Sequence, residues 1–107
     1  KIKTIKKNLG WCDDVKNRKY NKLINLKKIK EISNLSYENL YREDDLYDIV
    51  IELNYNQNPV IKNKGSAIFI HCSNPSMIGT AGCIALKKNN LKFLINNLQK
   101  SNYLYIR

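Results

Sequence analysis

The sequence predicts a small, β-rich α+β domain with one packing helix. Three observations lead there. A chain of 107 residues supports a single core. Short runs of β-forming residues are separated by Asn, Pro, Gly and Ser clusters. One segment near the C-terminus has a clear helical period: Leu91, Leu94, Ile95 and Leu98 fall at i, i+3, i+4 and i+7, predicting a helix over residues 89–100 with Lys, Asn and Gln on its outer face.

The remaining elements follow in chain order. The lysine-rich lead-in, residues 1–10, ends at Gly10, and Gly10-Trp11-Cys12-Asp13-Asp14 reads as a polar loop carrying one aromatic. Residues 15–34 lack a clean period and predict irregular structure with one or two short strands. Ser36 is expected to cap a short helix over residues 37–42, ended by Glu43-Asp44-Asp45. Residues 46–53 and 66–72 read as strands, the second apolar enough to be central, with a long loop over 54–65 between them. Residues 83–86 and 103–107 complete the set as short strands.

The net charge of +10 is unevenly placed. Residues 1–30 hold eleven Lys/Arg against Asp13 and Asp14, a balance of +9, while residues 31–107 come to +1. A solvated lysine-rich face and attraction to an anionic cell-wall or membrane surface both remain open. Nucleic-acid binding is not expected, because aromatic-basic motifs are missing. No apolar run reaches the ~20 residues of a membrane span. The first residue is Lys, without an apolar leader, so an N-terminally incomplete domain is expected, any export signal lying outside it.

The chemistry concentrates between His71 and Cys83, twelve positions apart. His71 is the only histidine, so it is the one imidazole that can serve a cysteine nucleophile. A thiol is activated as thiolate by a neighbouring imidazole or a cationic group. Gly82 permits a tight turn, and the N–H groups of Gly82 and Cys83 are candidate donors to a developing oxyanion. One His with three scattered Cys does not match structural zinc spacing, and no metal or other cofactor is expected. Cys72, next to His71, should face the opposite side of its strand as a buried small hydrophobe. Cys12 is open between a core thiol, a disulfide with Cys72 and a functional thiol.

The segments Gly65-Ser66-Ala67-Ile68-Phe69-Ile70-His71 and Thr80-Ala81-Gly82-Cys83-Ile84-Ala85-Leu86, followed by a leucine-rich helix, resemble the L,D-transpeptidase catalytic domain family (YkuD). Its signature is a His followed, after a variable loop, by [Ser/Thr]-x-Gly-Cys. The resemblance implies a β-sandwich with one amphipathic helix packed on the sheet. It implies a cell-envelope, periplasmic location and peptidoglycan stem peptides as donor and amine acceptor. Cys83 matches the nucleophile, His71 the acid/base, and Gly82 with Thr80 the oxyanion loop. The chain departs from the common pattern at Ala81, where His is frequent, and at Ala85, where Arg or Asn is frequent. Trp11, Asp13, Tyr20, Asn21 and Asp48 are further candidates for lining the substrate site. Hydrolysis by the same Cys–His pair, and a non-catalytic basic wall-binding module, stand as alternatives.

Overall fold

The computed structural model describes residues 2–105. Two three-stranded sheets face each other across a core, and one helix covers the outer side of the second sheet. The first sheet has the order β2–β1–β3, built from β1 (Leu9–Cys12), β2 (Lys22–Asn25) and β3 (Tyr37–Asn39), all antiparallel. The second has the order β4–β5–β6, from β4 (Val50–Glu52), β5 (Phe69–Cys72) and β6 (Ile84–Leu86). Here β4 runs antiparallel to β5, and β6 parallel to it. Helix α1 spans Lys88–Asn97.

Strand β5 explains the layering. All four of its residues are buried, as expected for a central strand with both faces covered. Side chains alternate, so Phe69 and His71 share one face and Ile70 and Cys72 the other. On the first face Phe69 packs with Trp11, Leu40, Tyr47 and Ala67. On the second, Ile70 and Cys72 pack with Leu91 of α1, which is fully buried. The ring edge of Trp11 meets Phe69 at 5.0 Å and 88°, joining the two sheets. Such edge-to-face pairs contribute about 1 kcal/mol beyond the area they bury.

Several sequence expectations are corrected. Residues 10–12 are not a polar loop: they lie in β1, the middle strand of its sheet, and Trp11 and Cys12 are buried. Residues 37–39 form β3 instead of starting a helix. The pairing of Tyr37 with Cys12 and of Glu38 with Trp11 overrides local propensity. Ser36 is not a helix cap; its hydroxyl donates to Asp13 Oδ1 at 2.6 Å, tying the end of β1 to the start of β3. The strand expected over 46–53 is shortened to Val50–Glu52. A turn at Asp44-Asp45, with Asp45 at φ 64 and the Asp48 N–H donating to the Asp45 carbonyl, holds residues 46–48 out of the ladder. Residues 103–105 form no strand and are exposed; the rest of that expected strand, residues 106–107, lies outside the described residues, as does Lys1.

The helix occupies Lys88–Asn97, starting one residue before the expected range of 89–100 and ending three residues short of it, where Leu98 takes an extended conformation. Cys12, Cys72 and Cys83 are all free thiols, so the open pairing of Cys12 with Cys72 is not formed. Cys12 and Cys72 are both buried, Cys72 on the helix-covered face of β5.

Candidate active site

The parallel pairing of β5 and β6 decides where the thiol sits. A chain leaving the end of β5 must travel back along the sheet before it can enter a parallel neighbour, which takes a connection of roughly a dozen residues. Residues 73–83 make that return. Cys83 therefore arrives beside Phe69, at the start of β5, and not opposite His71, whose register partner is Ala85. The Phe69 N–H donates to Cys83 Sγ at 3.4 Å, consistent with this register. Cys83, Ala85, Phe69 and His71 all lie on the core-facing side of the sheet. The Cys83 and His71 positions are then diagonal neighbours, about 7–8 Å apart at the backbone.

Each side chain is held by main-chain groups. The Cys83 thiol donates to the Ala67 carbonyl at 3.2 Å. Ala67 itself sits at φ 56, in the left-handed region, and its N–H donates to Asn21 Oδ1 at 3.2 Å. His71 is buried, with Nδ1 2.8 Å from the Cys72 carbonyl oxygen. A carbonyl can only accept, so Nδ1 carries a proton, and in the neutral imidazole the lone pair is on Nε2. The Tyr47 ring stands edge-on to the imidazole, centroids 5.3 Å apart, and fixes its plane.

The loop before Cys83 is shaped by two groups. Gly82 adopts φ +128, which favours glycine, and a Cβ there would approach Ile68 Cδ1 to 3.2 Å. The Thr80 hydroxyl donates to the Cys83 carbonyl and accepts from the Gly82 N–H at 3.4 Å.

Both reactive groups open onto one cavity of about 230 Å³, lined also by Asp13, Glu38, Arg42, Tyr47, Ser66, Met77 and Thr80. Burial pushes the Cys83 thiol up from its ordinary value and the Glu38 carboxylate adds to this, against a lowering by the Phe69 N–H. At rest the Cys83 side chain is thus a protonated thiol. The folded chain holds this proton more tightly than the unfolded one. The group therefore favours folding below the unfolded thiol's pKa, a contribution lost as pH rises through the folded value. Alkylation of Cys83 by iodoacetamide, followed on its own peptide by mass spectrometry, should have a pH midpoint above that of free cysteine, about 8.5. A midpoint at or below the free value would contradict this environment.

These elements match a known domain model. The model of the YkuD family, the L,D-transpeptidase catalytic domain, covers residues 1–106. The chain belongs to this family. No curated protein and no solved structure matches it. Within this L,D-transpeptidase domain, Cys83, His71, Thr80 and Asp13 surround one cavity, with Gly82 adjoining Cys83. Trp11, Tyr20 and Asn21 are placed elsewhere. All three are buried, and Trp11 is a core residue between the sheets. Asn21, at φ 58, is a buried hub: it accepts from Trp11 Nε1 and the Ala67 N–H and donates to the carbonyls of Tyr55 and Asn56. Asp48 is exposed and ion-paired with Lys88 at 2.7 Å, outside the cavity lining.

Glu38, Arg42 and Tyr47 line the cavity of this L,D-transpeptidase domain without having been singled out from the sequence. Glu38 and Arg42 fall in the segment read as a helix, where alternation over three residues is too short to declare a strand. Tyr47 gave a weak signal through its place beside Asp48 in an aromatic-containing apolar run.

Proposed function

We propose that the domain catalyses L,D-transpeptidation on peptidoglycan stem peptides, with Cys83 as nucleophile and His71 as acid and base. The observation that carries this is the shared cavity: a thiol and an imidazole with its free Nε2 on one face of a rigid sheet. Rotation of the thiol away from the Ala67 carbonyl, together with the reach of the imidazole, closes the diagonal spacing. His71 Nε2 takes the thiol proton, and Sγ attacks the carbonyl of the bond between diaminopimelate and the terminal D-alanine. The carbon–nitrogen bond breaks, His71 returns the proton to the departing amine, and a thioester remains. The side-chain amine of a second stem peptide then attacks the thioester. It loses a proton to His71 and regenerates the thiol, leaving a 3–3 cross-link. The N–H groups of Gly82 and Cys83 serve the developing oxyanion; donors of this kind typically contribute about 10²–10³ in rate. The Gly82 bond to Thr80 Oγ1 is long, 3.4 Å, and exchanges readily for a stronger acceptor. This chemistry places the protein's action at the cell envelope.

Intact-mass spectrometry after incubation with a carbapenem, an acylating mimic of the donor, tests the reading. A single adduct on the peptide containing Cys83 is expected. A folded chain that gains no adduct would overturn it. Product analysis with and without an amine acceptor separates transpeptidation from hydrolysis.

A further inference from the structure

Tyr47 spans the cavity wall from one sheet to the other. Its segment is fastened to the end of β5, where the Leu46 carbonyl accepts from the Cys72 N–H at 2.9 Å. The buried ring packs edge-to-face with Phe69, centroids 6.0 Å apart, and with His71 at 5.3 Å. The Arg42 guanidinium lies over the ring, 5.0 Å from its centroid, and is itself held by the Asp44 carboxylate. The Tyr47 hydroxyl donates to Glu38 Oε2 at 3.0 Å, reaching β3 in the first sheet. Glu38 is the register partner of Trp11, so its side chain shares the inner face of that sheet. Burial pushes the Tyr47 hydroxyl above its ordinary value and the Glu38 carboxylate adds to this, so the donor keeps its proton at neutral pH.

Activation of the thiol does not explain Glu38. Its charge pushes the Cys83 thiol up, which works against thiolate formation. Among the described residues it makes no ion pair, and the one hydrogen bond to its carboxylate comes from Tyr47. His71, by contrast, needs a second anchor. The bond from Nδ1 to the Cys72 carbonyl fixes one point of the ring and leaves it free to rock about that point. Cys83 stands diagonally across the sheet, so a tilted imidazole carries Nε2 away from the thiol. Resting on the transpeptidase reading, we infer that Glu38 is a positioning residue for His71 that acts through Tyr47. The carboxylate pins the phenol, the pinned ring sets the imidazole plane, and Arg42 over the ring keeps it from swinging out. His71 depends on the hydrogen bond, not on the negative charge.

Two readouts on the full chain test this: the rate at which a carbapenem acylates Cys83, and the ring-nitrogen NMR signals of His71. Because His71 is the only histidine, the NMR signals belong to one imidazole. Tyr47→Phe keeps the ring and loses the hydroxyl, and Glu38→Ala loses the acceptor. Each should slow acylation about 10- to 100-fold, the cost of a small misplacement of a catalytic group. Each should also move the imidazole signals from the Nδ1–H form toward the average of the two tautomers. The double variant should be within about threefold of either single one, since both remove the same bond. Glu38→Gln still accepts from the phenol through its amide oxygen, so it should stay within about threefold of wild type with unshifted signals. Wild-type rate and unshifted signals in a folded Tyr47→Phe variant, verified by circular dichroism, would overturn the inference. So would a Glu38→Gln chain as slow as Glu38→Ala, or losses that multiply in the double variant. A folded wild-type chain that gains no adduct would overturn the transpeptidase reading instead, an outcome on which the imidazole signals do not depend.

Discussion

Cys83→Ala is expected to abolish acyl transfer to below detection while leaving unfolding free energy within about 1 kcal/mol of wild type. The loss is complete because the proposed route runs through a thioester, and alanine offers no atom on which to form one. The small structural effect follows from what the thiol touches. Its two hydrogen bonds, to the Ala67 carbonyl and from the Phe69 N–H, are at 3.2 and 3.4 Å and involve a weak donor and a weak acceptor. The side chain is only half-buried, so truncation leaves no sealed void. Donor turnover and a urea melt on the same preparation check both halves. Residual thioester chemistry in the folded variant would move the nucleophile to another thiol, Cys12 or Cys72, both of which are buried.

Asn21→Ala is expected to cost about 3 kcal/mol of stability, the largest effect of any single polar truncation considered. Asn21 is 1% exposed, and its amide links β1, the loop following β4 and the entry to β5. Removing it leaves the buried Ala67 N–H without its partner, at about 1–3 kcal/mol, and takes the amide donors from the part-buried carbonyls of Tyr55 and Asn56, which adds a smaller amount. Trp11 Nε1 keeps a second acceptor in Ser66 Oγ at 3.3 Å, which limits the total. Alanine also tolerates φ 58 less well than asparagine. A second consequence reaches the site. Asn21 anchors the N–H of Ala67, whose carbonyl holds the Cys83 thiol, so a surviving Asn21→Ala chain should also alkylate at Cys83 at an altered rate. Chemical denaturation measures the first effect. A loss under 1 kcal/mol would show that the loop after β4 is not tied down through this amide.

The legibility of the molecule followed the length over which each pattern repeats. Helix α1 has its leucines at helical spacing over two turns, and it was readable to within one residue at its start and three at its end. Strand β5 was readable because both its faces are covered, which makes it a continuous apolar run between turn signals. Strands β1 and β3 were not. Each has three or four residues, and both become strands by pairing with one another, a relation between distant segments that no local pattern records. The same limit separates Asn21 from its apparent role. An asparagine beside Tyr20 looks like a surface candidate until the fold closes over it.

By itself the sequence determined that this is a small β-rich domain with one packing helix. It also determined that Cys83, in Thr-x-Gly-Cys, and the single imidazole of His71 are the residues to watch. These are local facts: hydrophobic period, turn chemistry and residue identity. Only the tertiary structure decided how the two are related. Twelve positions between them are compatible with a hairpin that sets them face to face. The parallel register of β5 and β6 instead sets them diagonally on one buried sheet face. The tertiary structure also brought Arg42, Glu38 and Asp13 to the same cavity, because the register of the first sheet carries residues distant in sequence to one edge of the sandwich. Spacing along a chain bounds how far apart two side chains can be. Strand direction and register decide which face they share.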